Sequence, residues 1–352
     1  SFWDFQFLAL NGQQRGAFGV WAQDGKFEFY KTLFFLVRDQ TISLSLESFN
    51  TPPFDQLKTV TSVTWRVQAF DHSWAQAAAR YREWRDGPTG IPIVPRPEYA
   101  KQISAVVQHV RPEEPHLAEF LKNWGKDSNR FAVWFPVVRR QGFDENHWDN
   151  TPYDKFKESM QIWNAKGGPP TIAYIQPMIM LGSQSAKTDE AKQIVRWSQE
   201  AYTILPFRDG KSHWFMDHFM DHNHLGYDPW QRWFLDVLKD RIQNYGTRGI
   251  YHDQSYICPI DSRGPIDGMN SVQGMADYFL KVNAENPGSF HATEHLQEAN
   301  LVGCSLGIGP LTLWGMEPAM RQQRIWHSSP VGAAFILSGI CLAQAKGSEV
   351  AS

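Results

Sequence analysis

Two short apolar stretches of this chain each end in a carboxylate. Asp253 closes the first stretch, 249–255, and Glu294 closes the second, 289–295. Aspartate is depleted in strands, so a carboxylate at the end of a β-type run needs a reason. In parallel β/α barrels, the C-terminal ends of the strands carry the catalytic groups. A helix N-cap or a hydrogen-bonded buried aspartate is the plainer interpretation of Asp253.

The spacing of the two carboxylates is that of neighbouring strands. Glu294 follows Asp253 by 41 residues, which leaves room for one loop, one helix and one strand. Glycoside hydrolysis uses two carboxyl groups, ~5 to 5.5 Å apart in retaining enzymes and ~6.5 to 9.5 Å apart in inverting ones. Their surroundings must hold them in different protonation states at one pH. The pair therefore predicts a glycoside hydrolase. Glu298, four residues on, is predicted to begin a helix or loop, and Glu294 is preferred to it because only Glu294 closes the apolar run.

Strands and helices that could bring the ends carrying Asp253 and Glu294 side by side are predicted after residue 98. Apolar strands alternate with helical patterns from 103–110 to 301–307, and a seventh strand is expected near 324–337. This alternation implies a parallel sheet, and six or more units favour a barrel over a doubly wound sheet. No GxGxxG or GxxxxGK[ST] motif supports nucleotide binding. We predict an α/β fold with a (β/α)8 TIM-type barrel over 99–352, its last unit missing or short.

The first 72 residues have the pattern of an antiparallel sheet. Short alternating runs are separated by turn signals such as Asn11-Gly12 and Asp24-Gly25. These strands predict a β-sandwich over 1–72. A helix over 74–85 and a proline-stiffened segment over 91–97 then predict a connection spanning 73–98.

The stretch 212–220 has two interpretations, a barrel strand or one arm of a hairpin. Asp209-Gly210 is a strong hairpin signal that would join this stretch to 202–207. We therefore expect an excursion above the barrel.

Several polar and aromatic side chains are candidates for contacts with a sugar. Trp148 and Asp149 follow the second strand, where a loop would overhang the barrel mouth, although an ordinary surface loop fits equally well. Strand alternation directs His252 behind the barrel and leaves His295 as the better candidate for the mouth. The predicted substrate-binding residues are Trp148, Asp149, Tyr174, Gln176, Asp221, His222, His295 and Trp314.

A cluster of carboxylates and imidazoles offers a competing interpretation. Asp217, His218, Asp221, His222 and His224 have the residue types that bind zinc, manganese or iron, and an i, i+4 spacing would share a helix face. The interleaved aromatic residues suit alternating strand faces at least as well. A metal-dependent hydrolase stays an alternative, as does a non-catalytic glycan-binding or structural protein on the same scaffold. No GxSxG motif supports serine chemistry.

The order of these elements resembles a known group of enzymes. An aromatic β-sandwich, a Trp-rich helix (74–85), a proline linker and a barrel are similar to the retaining α-glycosidases related to endo-α-N-acetylgalactosaminidases and α-galactosidases. The stretches 220–223 (MDHN), 228–231 (DPWQ) and 249–254 (GIYHDQ) also resemble that group. The resemblance implies that Asp253 is the nucleophile and that Glu294 is the acid/base. It implies a galactose- or N-acetylgalactosamine-type α-glycoside, no metal or organic cofactor, and a secreted or cell-surface location.

Composition narrows the classes of partner. Aromatic residues make up 14% of the chain, with 15 Trp, and such rings offer sugars a flat apolar platform, although core packing is the plainer role. The formal charge is −3, with scattered charges, so nucleic acid and anionic membranes are not expected partners. No apolar run reaches the ~18 residues of a membrane span. Ser1 opens directly into a strand pattern, and we expect the chain to be processed, trimmed or incompletely represented.

Overall fold

The chain forms antiparallel sheets followed by a parallel sheet with helices packed on it. A computed structural model describes residues 7–12, 16–38, 41–71, 74–103, 105–107, 114–135, 155–175, 177, 179–181, 220–222, 224–253, 255, 258, 264–293 and 297–307. Within these ranges, no helix has both the length and the apolar character that crossing a bilayer requires.

The N-terminal region contains the five antiparallel strands that the alternating pattern predicts. Strands β1 (Phe7–Gly12), β2 (Gly16–Gln23) and β5 (Thr64–Phe70) form one sheet in the order β1-β2-β5. Strands β3 (Tyr30–Arg38) and β4 (Thr41–Phe49) form a separate two-stranded ladder. The antiparallel strands are confirmed, whereas their assembly into a sandwich and the domain boundaries stay predictions.

Helix α1 (Trp74–Arg85) covers the three-stranded sheet, and its bounds are those predicted. The spacing of Trp74, Ala78, Tyr81 and Trp84 predicts one packed stripe. Ala78 and Tyr81 are buried as predicted, and Ala77 is buried beside them, but Trp74 is 41% exposed. The proline linker that follows is bound to the rest of the chain. Its Val94 N–H donates to the carbonyl of Val302 at 2.7 Å.

Six parallel strands form the second part of the molecule. They are β6 (Ala105–Val107), β7 (Phe131–Phe135), β8 (Thr171–Ile175), β11 (Gly249–His252), β12 (Phe290–Thr293) and β13 (Leu306–Gly307). Their spatial order follows the chain order, and every neighbouring pair is parallel. This is a parallel half-barrel, with β11 as its fourth strand. Closure into eight strands stays a prediction.

Helices alternate with these strands, as expected for β/α units. They are α2 (Glu114–Trp124), α3 (Phe156–Ala165), α4 (Asp228–Gln243), α5 (Ser271–Glu285) and α6 (Glu298–Leu301). The strand predicted over 301–307 is wrong in its first part, because Leu301 ends α6 and β13 begins at Leu306. The cause is local: Gln297 and Asn300 form a capping box that starts a helical turn.

A short antiparallel pair interrupts the β/α order, as the predicted excursion requires. Strand β9 (Ile179–Leu181) pairs with β10 (Met220–His222), and Asp221 lies opposite Met180. The hairpin arms predicted over 202–207 and 212–219 lie outside the described residues.

The half-barrel buries both of its faces. The barrel-interior face is lined by Ala100, Ile103, Ala132, Ile172, Tyr251, Phe290, Ala292 and Leu306. The opposite face contributes Val133, Ala173, Ile175 and Ile250 to the core beneath the helices. Strand β11 begins at Gly249, where a Cβ would lie 1.8 Å from the carbonyl oxygen of Phe290. Glycine thus permits the close approach of β11 to β12.

The loop between β2 and β3 contacts the N-terminus of α5. Asn270 caps α5 by accepting a hydrogen bond from the backbone N–H of Gln273 at 2.9 Å, and its Nδ2 donates to the carbonyl of Phe27 at 2.9 Å. The Tyr30 hydroxyl accepts from the Ser271 N–H at 3.2 Å. The N-terminal region therefore fixes the start of the helix that packs behind β11 and β12.

Replacing Asn270 with alanine is expected to lower the free energy of unfolding by about 1–2 kcal/mol, because the helix loses its cap and Phe27 loses a donor. The Asn270→Ser variant keeps a capping oxygen and should lose less. Urea unfolding of both variants measures the difference. A serine variant as unstable as the alanine variant would contradict the capping role.

Candidate active site

Asp253 lies at the C-terminal end of β11, as the sequence predicts. Its side chain contacts Tyr174 and Tyr251 of the barrel-interior face, and the residue is only 7% exposed. Its backbone N–H donates to the carbonyl of Ile175 at 2.8 Å, which extends the ladder between β11 and β8. The backbone that carries this carboxylate is therefore fixed.

Two tyrosine hydroxyls bind the carboxylate of Asp253. Tyr174 donates to Oδ2 at 2.7 Å and Tyr251 donates to Oδ1 at 3.3 Å. The two tyrosines are register partners on adjacent parallel strands, with ring centroids 5.8 Å apart. The sequence placed Tyr174 among the sugar contacts but gave no sign of its bond to Asp253.

The strand register bears on the second carboxylate. Strands β11 and β12 pair with a constant offset of 41 residues, from Gly249 opposite Phe290 to His252 opposite Thr293. In the sequence, Asp253 directly follows His252 and Glu294 directly follows Thr293. The spacing interpreted as that of neighbouring strands is confirmed as the offset of this register, while Glu294 itself lies outside the described residues.

Most of the other predicted contacts lie outside the described residues. Asp221 and His222 belong to β10, opposite Met180 and Ile179. The predicted residues that lie outside the described ranges are Trp148, Asp149, Gln176, Glu294, His295 and Trp314. Of the predicted site residues, the structure brings together Asp253 and Tyr174.

A chain of buried hydrogen bonds lies on the helix side of β11 and β12. Its members are Tyr278, His252, His291, Ser289 and the carbonyl of Asn286, and we call it the histidine chain. The Tyr278 hydroxyl is 3.2 Å from His252 Nδ1, and His252 Nε2 is 3.1 Å from His291 Nδ1. Ser289 Oγ is 2.5 Å from His291 Nε2 and donates to the Asn286 carbonyl at 2.7 Å.

The direction of every hydrogen bond in the histidine chain follows from its end. Ser289 has one hydroxyl hydrogen, which goes to Asn286, so its oxygen must accept from His291 Nε2–H. His291 Nδ1 is then an acceptor for His252 Nε2–H, and His252 Nδ1 accepts from the Tyr278 hydroxyl. These directions hold while both imidazoles are neutral, with one ring hydrogen each.

Burial explains why these imidazoles stay neutral. Desolvation lowers the pKa of His291 from 6.5 to about 3. Desolvation also lowers the pKa of His252, and the neighbouring His291 lowers it further. Burial raises the pKa of Tyr278, with a smaller contribution from Cys304. The prediction that His252 packs behind the barrel is confirmed, since its ring contacts Tyr278 and Phe279 of α5 edge-on.

A second polar group joins the ends of β11 and β12 to α6. The Ser255 hydroxyl donates to the carbonyl of His252 at 2.9 Å and also contacts the Thr293 hydroxyl. Asn300 Nδ2 donates to Thr293 Oγ1 at 3.2 Å and to the Ser255 carbonyl at 3.3 Å. His252 and Ser255, which lie on either side of Asp253 in the sequence, are thus fixed by hydrogen bonds to neighbouring residues.

Glu298 begins a helix, as the sequence predicted. It begins α6, is buried, and accepts a hydrogen bond from the Tyr81 hydroxyl of α1. Burial, followed by the nearby Glu298 carboxylate, raises the pKa of Tyr81. Glu298 therefore joins the N-terminal helix to the half-barrel.

The metal interpretation gains no support from the described ranges. They contain no group of three His, Cys, Asp or Glu side chains that could hold an ion. His224 is buried, and its Nδ1 accepts from the Gly226 N–H at 2.9 Å. Asp217 and His218 lie outside the described residues.

Comparison with known proteins identifies relatives by structure. No protein-family model and no curated protein sequence matches the chain. The α-N-acetylgalactosaminidase of Bifidobacterium bifidum, in complex with GalNAc, is similar over 96% of this chain, with a TM-score of 0.63 and 12% identity. The α-galactosidase of Thermus thermophilus, in complex with stachyose, is similar over 88%, with a TM-score of 0.53 and 12% identity. The cycloalternan-degrading enzyme of Trueperella pyogenes, in complex with isomaltose, is similar over 87%, with a TM-score of 0.56 and 10% identity.

This chain spans about half the length of these structures, covering 57%, 59% and 45% of them respectively. At such low identity the likeness concerns the fold. The fold is that of glycoside hydrolases that act on α-glycosides.

Proposed function

From this shared fold, we propose that the chain is a glycoside hydrolase that cleaves α-glycosidic bonds by a retaining double displacement. The observation that carries the proposal is the position of Asp253. It is a nearly buried carboxylate at the C-terminal end of the fourth parallel strand, and two hydroxyl donors hold it. In β/α barrels this end of the sheet bears the chemistry.

Asp253 is the proposed nucleophile. One of its carboxylate oxygens forms a bond to the anomeric carbon while the bond from that carbon to the leaving oxygen breaks. The product is a glycosyl ester with inverted configuration. Water then attacks the same carbon, the ester bond breaks, and its electron pair returns to the carboxylate. Two inversions give net retention.

Glu294 is the proposed acid/base. It would give its proton to the leaving oxygen in the first step and take a proton from the attacking water in the second. Two facts support the pairing. The 41-residue offset of the β11–β12 register equals the separation of Asp253 and Glu294. In strand alternation Glu294 also has the parity of Phe290 and Ala292, which line the barrel interior.

The proposed substrate is an oligosaccharide or glycan with a terminal or internal α-linked galactose-type sugar. The α-galactosidase and α-N-acetylgalactosaminidase among the structural relatives support this class. The proposed sugar contacts are Trp148, Asp149, Tyr174, Gln176, Asp221, His222, His295 and Trp314. Neither step needs a metal or an organic cofactor.

The test is hydrolysis of p-nitrophenyl α-galactoside and p-nitrophenyl α-N-acetylgalactosaminide by the full chain. Proton NMR of the first-formed sugar should show the α-anomer before mutarotation. A β-anomer would overturn the retaining mechanism. Binding of these sugars without any hydrolysis would favour a glycan-binding protein instead.

Replacing Glu294 with glutamine is expected to lower kcat/KM for an unactivated α-glycoside by about 10²- to 10⁴-fold, because the leaving oxygen loses its proton donor. A 2,4-dinitrophenyl α-glycoside needs no such donor and should lose much less in the first step. Rates for both substrates measure the difference.

Glu298→Gln is the matched control for Glu294→Gln. It removes the same charge four residues away, from a carboxylate that is bound to Tyr81. It should lower stability without changing the dependence on the leaving group. An equal dependence in both variants would remove Glu294 from its proposed role.

A further inference from the structure

Two strands hold the carboxylate of Asp253 through its two oxygens. Tyr174 on β8 contacts Oδ2 at 2.7 Å, and Tyr251 on β11 contacts Oδ1 at 3.3 Å. The N–H of Asp253 is bonded to Ile175, the residue after Tyr174. The backbone and the side chain of Asp253 are therefore both hydrogen-bonded to β8.

The two contacts differ in strength. An O–H···O⁻ bond to a carboxylate is short and about twice as strong as a neutral one, and a contact beyond 3 Å is weaker. The Tyr174 contact falls in the strong range, whereas the Tyr251 contact does not. Of these two hydroxyls, Tyr174 therefore binds the carboxylate more strongly.

We propose that Tyr174 is a positioning residue that presents the carboxylate of Asp253 to the anomeric carbon, a proposal that rests on the proposed function. Tyr174 keeps Oδ2, and Oδ1 forms the bond to the sugar. In the glycosyl ester, Oδ2 becomes the carbonyl oxygen and still accepts from Tyr174. When water releases the sugar, the C1–Oδ1 bond breaks and the charge that returns to the carboxylate is stabilised by the same hydroxyl.

If Tyr174 has this positioning role, its loss should affect turnover more than substrate binding. Loss of a hydrogen bond to a charged group should lower kcat about tenfold to a hundredfold. KM should not rise, because slower release of the sugar lets the ester accumulate. Tyr251→Phe should have a smaller effect, since its contact is longer.

The experiment compares Tyr174→Phe, Tyr251→Phe and Tyr99→Phe in the full chain with the p-nitrophenyl α-glycosides. Tyr99→Phe is the matched control. Tyr99 packs against the same interior cluster as Tyr174, but its hydroxyl donates to the carbonyl of Arg248, just before β11 begins. The Tyr99→Phe variant removes a hydroxyl that contacts the opposite end of β11, and it should leave kcat unchanged.

The outcomes separate this proposal from the proposed function. If Asp253→Asn is inactive and Tyr174→Phe keeps the wild-type kcat, the positioning role is overturned and the function stands. A rise in KM alone would make Tyr174 a sugar contact only. Crystal structures of the wild type and of Tyr174→Phe need no substrate, and the variant should show the carboxylate turned or in two orientations. A carboxylate that keeps its place would also overturn the proposal.

Discussion

Asp253→Asn is expected to lower kcat/KM for the aryl α-glycosides by on the order of 10⁴-fold or more, as loss of a covalent nucleophile does in other enzymes. Asparagine has nearly the same shape, and its amide oxygen can still accept from Tyr174. The free energy of unfolding should therefore change little. Initial rates and urea unfolding of the same preparation measure both quantities.

Azide distinguishes a nucleophile from an acid/base. In Asp253→Gly, azide can enter the space that the side chain vacates and form a bond to the anomeric carbon as the bond to the aryl oxygen breaks. This single displacement gives a β-glycosyl azide. In Glu294→Ala, azide would instead attack the glycosyl ester and give an α-glycosyl azide. NMR of the azide products reads the configuration, and an α-azide from the Asp253 variant would refute the assignment.

The second large expected effect is a loss of stability at acidic pH. Lowering the pH from 7.5 to 5 is expected to reduce the free energy of unfolding by about 2 kcal/mol through His291 alone, and His252, whose pKa is also lowered, adds to this loss. The pKa of His291 is lowered from 6.5 to about 3, and that of His252 is lowered as well. Between these values the unfolded chain binds protons that the folded chain excludes.

The sign follows from this difference in bound protons. Stability rises with pH wherever the unfolded state carries more protons, so the full contribution is present above pH 6.5. It is lost progressively as the pH falls toward about 3, where His291 accepts its proton in the folded state too. The titratable groups that face the two rings are Tyr278 and, beyond it, Cys304, and both stay neutral in this range because burial raises their pKa.

Two variants isolate the contribution of the histidine chain. His291→Gln should have a pH slope smaller by about 1.4 kcal/mol per pH unit, because one titrating group is gone. Ser289→Ala removes an acceptor from the same chain without removing a titrating group, so it should destabilise the protein at pH 7.5 and leave the pH slope in place. Urea unfolding from pH 7.5 to pH 5 gives both slopes. Equal slopes for the wild type and His291→Gln would contradict the prediction.

The sequence was sufficient to predict what depends on local pattern. Alternation within β11 placed Asp253 toward the barrel interior and His252 toward the helices, and both positions are observed. The 41-residue spacing anticipated the β11–β12 register. Helix α1 was predicted with its bounds, although Trp74, its first residue, is exposed.

Contacts between distant strands were beyond such reasoning. Tyr174 and Tyr251 are 77 residues apart, and their register depends on how the intervening excursion returns the chain to the sheet. The pairing of His252 with His291 is diagonal between strands, since His252 lies opposite Thr293. Ser289 and His291 stand two residues apart at the start of β12, but side-chain hydrogen bonds across a sheet have no period that reveals them.

The uniform direction of the histidine chain has a mechanical consequence. Each donor in it has a single hydrogen to give and the Asn286 carbonyl can only accept, so no link can reverse while both rings are neutral. The hydrogen bonds of the histidine chain on the helix side of β11 and β12 consequently form one cooperative unit. Neither strand can slide along the other without breaking several of them at once. These hydrogen bonds lie on the helix side of the two strands, opposite the face that carries Asp253.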